Sequence, residues 1–258
     1  MTEAVEGCGG LNRPRAPEGR DDAERRLRDD LLHAYHILDA DGQASGIAGH
    51  LTARLSGADR FWSHAWGIGF DEVRAEGLIE ADFNLDTIRG KGRVNPTLHI
   101  HTRIYMARPD VTCIVHTHGK AGVALGCAGM TLEPITQTGA IFADEIALFD
   151  EFHGIVLGTA EGDAIAAALG RNRALLLKNH GALVVGANVA EACIGMTVLE
   201  WAADVQLRAA AAGTLQRLAP EAAAQSKRFL LDAGNLGLRW EFLKRKIGRA
   251  RPFLGETR

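Results

Sequence analysis

The stretch ALLLKNHGALVVG, residues 174–186, constrains the fold more than any other part of the chain, because two apolar runs flank a short Asn-His-Gly segment. Short apolar runs bounded by turn-forming residues are typical of strands. A connection this short can only join neighbouring strands that run in opposite directions. We therefore predict a strand, a tight turn and a second strand here, within a sheet that contains antiparallel pairs.

Strand and helix patterns alternate along the rest of the chain, but several strands follow one another directly. This order predicts one α/β domain with a central mixed or antiparallel sheet flanked by helices. The predicted strands lie at residues 50–55, 61–66, 111–118 and 154–158, with one more after a short helix within 67–82. The first predicted helix begins near Asp21. Further helices are predicted within 95–110, 119–129, 161–172 and 187–213, and over the last 40 or so residues.

Composition divides the chain into three segments. Residues 1–20 are rich in Gly, Pro, Arg and Glu, which predicts a disordered arm. Residues 21–215 contain the sheet and its helices. Residues 216–258 are predicted to form a helical, partly basic extension.

The charge balance argues against two classes of partner. The net charge is -3, which gives no reason to expect nucleic acid or an anionic membrane surface as the main partner. No apolar run approaches the roughly 20 residues of a membrane span. The N-terminus, MTEAVEGCGG, lacks the apolar core of a signal peptide. We predict a cytoplasmic protein that acts on a small molecule.

The segment CIVHTHGKA places His116 and His118 two residues apart at the end of a predicted strand. Alternate side chains of a strand point to the same face, about 6.5 to 7 Å apart along the chain. Two imidazoles so placed can converge on one metal ion. His180, in the Asn-His-Gly turn, is the natural third ligand, because Gly181 permits unusual backbone angles or a close backbone approach.

Three segments together resemble the class II aldolase/adducin family: IYMARPDVTCIVHTHGKAG, LLLKNHGALVVGANVAEA and the alanine-rich helix that begins TVLEWAADVQ. The resemblance covers about residues 25–215. It implies that His116, His118 and His180 hold a divalent metal, with positions left open for substrate, water or dioxygen. It also implies a homo-oligomer, usually a cyclic tetramer, with its active sites at subunit interfaces.

The chain departs from the aldolases of that family at several site positions. Their glutamate base stands eight residues before a helix tyrosine, and counting back from Tyr105 gives Thr97, which has no carboxylate. Their phosphate-binding steps read Gly49-His50-Leu51 and Trp66-Gly67 here. A tryptophan replaces small hydrogen-bond donors with an aromatic face. We therefore expect an aromatic or otherwise apolar organic acid as substrate, and not a sugar phosphate.

Other residues are candidates for the same site. The resemblance aligns His101 and Tyr105 with a His-x-x-x-Tyr pattern, which makes His101 a substrate-facing group or a support for one. His50 and His64 are candidate pocket residues, with an ordinary strand-end role as the alternative. Gln137 lies in the ITQTG loop, which follows a small-residue helix near the site. We assign proton transfer to His50, His64 or His101, and substrate contact to Trp66, Thr97, Tyr105 and Gln137.

Four functions follow from these residues. Retro-aldol cleavage needs a base for a hydroxyl proton, whereas decarboxylation needs an acid to protonate carbon, so Thr97 favours a metal-dependent decarboxylase. The same three histidines around Fe(II) would suit an oxidative decarboxylase that uses dioxygen. An aldolase and a non-catalytic adducin-like interaction module are the remaining alternatives. Imidazole ligands suit Zn, Mn and Fe(II), so the sequence does not identify the metal.

Overall fold

The computed structural model describes residues 19–152 and 154–255, and within them eight strands form one mixed sheet. The spatial order is β4-β3-β2-β1-β5-β8-β7-β6, and all neighbours pair antiparallel except β6 and β7. The strands are β1 (His50–Ala53), β2 (Arg60–His64), β3 (Leu78–Asp82), β4 (Thr87–Arg89), β5 (Cys113–Thr117), β6 (Ile146–Phe149), β7 (Ala174–Leu177) and β8 (Gly181–Gly186).

Helices cover both faces of the sheet, which makes a three-layer α/β domain. One core lies between the sheet and α1, α3, α5 and α7, and the other lies between the sheet and α2 and α4. The helices are α1 (Arg20–Ala40), α2 (His99–Ala107), α3 (Lys120–Cys127), α4 (Thr159–Leu169), α5 (Val189–Ala212), α6 (Pro220–Leu230) and α7 (Ala233–Ala250). The predicted mixed sheet flanked by helices in one α/β domain is confirmed.

One predicted strand is wrong, and two observed strands, β4 and β6, have no counterpart among the predicted ones. Residues 154–158 are not a strand. Val156 is buried between exposed Ile155 and Leu157, and this burial pattern is the same as that of a half-buried strand. The strand of this region is instead β6, which pairs parallel with β7. The other edge of β7 is taken by β8, so both edges of β7 are paired without residues 154–158.

The N- and C-terminal regions can be compared with the arm and the extension that the sequence predicts. Residues 1–18 of the expected arm lie outside the described residues, and Arg20 already belongs to α1. The extension contains α6 and α7, and α7 packs on α1 through buried Trp240, whose indole N–H donates to Asp30 Oδ1 at 3.0 Å. Within the described part of the chain, no helix is both long and apolar enough to cross a membrane. The limits of the three segments stay a prediction.

A carboxylate from α5 caps the short helix that follows β5. Helix α3 has no cap from its own N-terminal side chains. Glu200 accepts hydrogen bonds from the backbone N–H groups of Ala121, at 2.8 Å, and Gly122, at 2.9 Å. These are amide donors that a helix N-terminus leaves without partners. Glu200 therefore ties α3, and the turn after His118, to the long helix α5.

We predict that Glu200→Ala lowers the free energy of unfolding by about 1–3 kcal/mol, because two buried amide donors lose a charged acceptor. Urea unfolding of the purified variant measures this loss. Asp204→Ala on the same helix is the matched control, since its partner Arg208 is mostly exposed, and we expect little change. Equal losses in the two variants would contradict the role of Glu200 as a cap.

Candidate metal centre

The structure brings His116, His118 and His180 together at the end of β5. His116 lies in β5, His118 follows it directly, and His180 lies in the turn between β7 and β8. One nitrogen from each ring lies within 4.8 Å of the other two, and the ring centroids are 4.8 to 5.0 Å apart. The spacing in the sequence and the hairpin therefore deliver three imidazoles to one point.

Neighbouring polar groups orient two of these rings. Nδ1 of His116 lies 3.0 Å from the carbonyl oxygen of Ala182, which can only accept, so Nδ1 carries the proton and Nε2 carries the lone pair. This Nε2 lies 3.1 Å from Nε2 of His118, whose Nδ1 contacts Ser45 Oγ at 3.2 Å. Two nitrogens at about 2.0–2.1 Å from one ion are about 3.0–3.4 Å apart, so the spacing of this pair fits a divalent metal, with His180 as the third imidazole beside it.

Burial keeps the three imidazoles neutral. Loss of hydration lowers the pKa of His116 well below its usual value and lowers the pKa of His118. Burial, and then the nearby His118, lowers the pKa of His180 to about 4. A metal ligand must offer an unprotonated nitrogen. Near pH 7 all three rings meet that condition.

Gly181 allows the hairpin to approach β5 closely enough for His180 to reach the other two rings. A Cβ atom on Gly181 would lie 2.5 Å from the Thr117 carbonyl oxygen and 2.7 Å from Cδ2 of His118. The positive φ of the turn falls instead on Asn179, at 58°. Of the two reasons that the sequence offers for a glycine at 181, close approach is therefore the one that applies.

A second polar group lies between β1 and α2, beside the three histidines. His50 Nδ1 lies 2.9 Å from His101 Nε2, and His101 Nδ1 lies 2.8 Å from Thr52 Oγ1. The chain continues inward from Thr52 to the hydroxyl of Tyr105, at 2.8 Å, and outward from His50 Nε2 to Thr97 Oγ1, at 2.9 Å. The ring of His50 also lies 4.9 Å from that of His116.

The three histidines open onto a cavity of about 490 Å³. Its walls are mainly apolar, and the described residues that line it include no Asp, Glu, Lys or Arg. His50 and Thr97 also line it, at the outer end of the hydrogen-bonded chain. The large apolar side chains of the wall are Ile47, Trp66, Ile100, Phe152, Ile155 and Leu157.

Not all of the predicted site residues line this cavity. Trp66 does, with 44% of its surface exposed, whereas His101 and Tyr105 are buried behind the wall. His64 is buried against Tyr35 and Phe70, and its Nδ1 lies 2.9 Å from the Tyr35 hydroxyl. Gln137 is exposed in a turn before a 3-10 helix and does not line the cavity. Four of the predicted site residues therefore do not line the cavity: His64, His101, Tyr105 and Gln137.

Sequence reasoning missed three polar residues of this region. Asn95 accepts bonds from both the backbone N–H and the hydroxyl of Thr97, and an Asn followed by Pro is a helix-start signal that points to such a cap. Thr52 shares a strand face with His50, so the alternation of β1 also indicates it. For Ser45, which contacts His118, no sequence signal exists.

Comparison with known proteins finds related sequences and structures. The family model described as "Class II Aldolase and Adducin N-terminal domain" matches residues 29–207. Decarboxylase NovR of Streptomyces niveus is 34% identical over 230 residues, which are 86% of this chain and 85% of that protein. The 4-hydroxy-3-prenylphenylpyruvate oxygenase/4-hydroxy-3-prenylbenzoate synthase of Streptomyces roseochromogenus subsp. oscitans is 34% identical over 207 residues, 78% of this chain and 75% of that protein. L-fuculose 1-phosphate aldolase from Glaciozyma antarctica PI12 superposes with a TM-score of 0.83 at 28% identity, covering 93% of this chain and 95% of that one.

We predict that Gly181→Ala weakens Zn²⁺ binding at least tenfold, because the new methyl group displaces the β5 backbone or His118. Titration against a competing chelator measures the affinity. Gly158→Ala is the matched control, since a Cβ there meets no atom within 4 Å, and it should bind as the wild type does. Unchanged affinity in a folded Gly181→Ala protein would contradict the need for this close approach.

Proposed function

The chain belongs to the class II aldolase and adducin family, and we propose that it is a divalent-metal-dependent enzyme that cleaves a carbon–carbon bond. Within that class we assign it as a decarboxylase of an aromatic or otherwise apolar, non-phosphorylated organic acid. The observation that carries the proposal is the convergence of His116, His118 and His180 at the base of a cavity whose other described lining is uncharged.

The three histidines are the proposed metal ligands. A divalent cation held there supplies the positive charge that stabilises electron density developing on substrate oxygens as the bond breaks. The chain's own contribution is position and environment. The Ala182 carbonyl fixes the ring of His116, and the apolar wall excludes water from the substrate. We infer that the substrate carboxylate lies towards the three histidines and its apolar part lies against Trp66 and Ile100.

The absence of a carboxylate at position 97 supports decarboxylation over retro-aldol cleavage. A retro-aldol step must remove a proton from a substrate hydroxyl, and a threonine hydroxyl cannot act as that base near pH 7. Loss of carbon dioxide needs no such base, but carbon must receive a proton. The sugar-phosphate aldolase alternative is weakened further by the lining, which offers a phosphate no Lys or Arg among the described residues.

His50 and His101 are the proposed proton source. Outside the three proposed ligands, His50 is the one ionisable side chain among the described residues of the cavity wall. His101 lies directly behind it at 2.9 Å. Burial lowers the pKa of both residues well below the usual value, so the proton on offer is that of a neutral ring, held on His50 Nε2 beside Thr97 Oγ1 at the cavity wall. His64 lies away from the cavity, and we do not assign it this role.

Oxidative decarboxylation with Fe(II) and dioxygen is the second candidate. The Streptomyces roseochromogenus relative is named as an oxygenase, and imidazole ligands suit Fe(II) as well as Zn or Mn. Both candidates use the same histidines and the same apolar cavity. They differ in whether the reaction consumes dioxygen.

We further propose that the active protein is a homo-oligomer, a tetramer by family resemblance, with a neighbouring subunit over the cavity mouth. Five large apolar residues at this mouth are exposed by 44 to 75%: Ile47, Trp66, Phe152, Ile155 and Leu157. Exposed apolar surface of this kind is typical of an interaction site.

We predict that His116→Ala and His180→Ala abolish metal retention, because two imidazoles hold an ion far less tightly than three. Elemental analysis after dialysis measures the metal content. His33→Ala, on α1 and outside the cluster, is the control and should retain one metal per chain. Full occupancy in His180→Ala would contradict the proposed ligand set. A wild-type protein with no affinity for any divalent ion would favour the adducin-like interaction module.

We predict that the metal-loaded protein releases carbon dioxide from aromatic hydroxy or oxo acids in the absence of dioxygen. Assays of the Zn-, Mn- and Fe(II)-loaded protein, with and without air, measure this directly. Activity that requires both Fe(II) and dioxygen would assign the oxidative decarboxylase instead. Cleavage of sugar phosphates, with no carbon dioxide from any acid, would assign an aldolase.

A further inference from the structure

The direction of the hydrogen bonds at Thr97 follows from a single backbone amide. The Thr97 N–H lies 3.0 Å from the side-chain atom Oδ1 of Asn95. A backbone N–H can only donate, so the Asn95 atom facing it must be the amide oxygen and not the amide nitrogen. This contact therefore fixes the orientation of the Asn95 side chain without reference to any titratable group.

The Asn95 oxygen in turn fixes the Thr97 hydroxyl. Thr97 Oγ1 lies 2.8 Å from the same Oδ1, so the hydroxyl proton must point to Asn95. His50 Nε2, at 2.9 Å from Thr97 Oγ1, must then be the donor in its own contact. This result is the same for a neutral and a protonated His50, because Nε2 carries a proton in both.

The buried part of the chain holds this arrangement in place. With a neutral His50, its Nδ1 accepts from His101 Nε2, and His101 Nδ1 accepts from the Thr52 hydroxyl. Thr52 accepts in turn from Tyr105. All four of these residues are at most 2% exposed. Reversing the chain would leave His50 Nε2 facing the Thr97 oxygen with no proton between the two atoms.

Thr97 therefore presents an acceptor to the cavity and not a donor. Its oxygen has two lone pairs, and His50 uses one of them. Thr97 lines the cavity, and the ring of His50 stands between it and His116. A substrate group that contacts the Thr97 oxygen therefore lies about one side chain away from the three histidines.

We propose that Thr97 accepts a hydrogen bond from a substrate hydroxyl group that neighbours the substrate carboxylate, so that the site selects a hydroxy acid with a free hydroxyl. The inference rests on the proposed function, which places the carboxylate at the three histidines. An oxo or ether oxygen in the same place would set a lone pair against the lone pair of Thr97. The selection therefore depends on one proton of the substrate.

Two probes that differ in this proton test the inference: 2-hydroxybenzoate and 2-methoxybenzoate, each titrated calorimetrically into Zn²⁺-loaded protein. The measured quantity is the ratio of the two dissociation constants, methoxy over hydroxy. Thr97→Val keeps the side-chain shape and removes the acceptor, so any steric effect of the methyl group is the same in both proteins. We expect the ratio to be about three- to tenfold larger in the wild type than in Thr97→Val. Thr97→Ser, which keeps the hydroxyl, should retain most of the wild-type ratio.

Metal content measured on the same samples distinguishes the two ways in which this test can fail. Equal ratios in metal-loaded wild type and Thr97→Val would overturn the role of Thr97 and leave the metal-dependent function intact. Loss of the wild-type ratio in Thr97→Ser would also overturn the role. A wild-type protein that retains no Zn²⁺ would contradict the proposed function and this inference with it.

Discussion

The register of β5 at the centre of the sheet is the constraint on which the site depends. β5 pairs with β1 on one side and β8 on the other, and His116 stands opposite both His50 and Leu183. Side chains alternate between faces, so a slip of one residue would turn a histidine away from its partners. The β7–β8 hairpin closes at Gly181, next to Thr117, and so carries His180 to the same end. One set of backbone pairings thus positions all three imidazoles and the neighbouring His50.

A match between strand and helix spacing builds the polar chain behind the site. Alternate residues of β1 are about 6.6–6.8 Å apart, and residues four apart on a helix rise by about 6 Å. His50 and Thr52 on the strand therefore interleave with His101 and Tyr105 on α2, each residue contacting the next. Every member finds a partner, which is the condition under which a buried polar network rigidifies a core without a large desolvation cost.

The sequence predicts the local elements of the site, but it does not predict the contacts between elements that are far apart in the chain. The strand that carries His116 and the Asn-His-Gly hairpin follow from short local patterns, and the mixed sheet follows from the order of the predicted strands and helices. The missed strand β6 and the wrong strand at 154–158 show the limit, since both are short apolar runs and only the pairing of β6 with β7 in the folded sheet distinguishes them. The role of Asn95 is of the same kind. Its cap signal is local, but the consequence for His50 depends on two distances between separate elements.

The described residues of the cavity wall, Thr97 among them, carry no carboxylate and no cationic side chain. Four neutral histidines and an apolar wall give an entering anion few compensating groups for its lost hydration. With the proposed metal bound, compensation for a negative charge is available where the three histidines converge, whereas Thr97 offers an uncharged acceptor one side chain away. A substrate with a second charged group at its far end, such as a phosphate, would leave that charge against Trp66, Ile100 or Phe152. An acid with one anionic end and an apolar body has no such conflict, so the wall of the cavity supports the proposed substrate class as much as the histidines do.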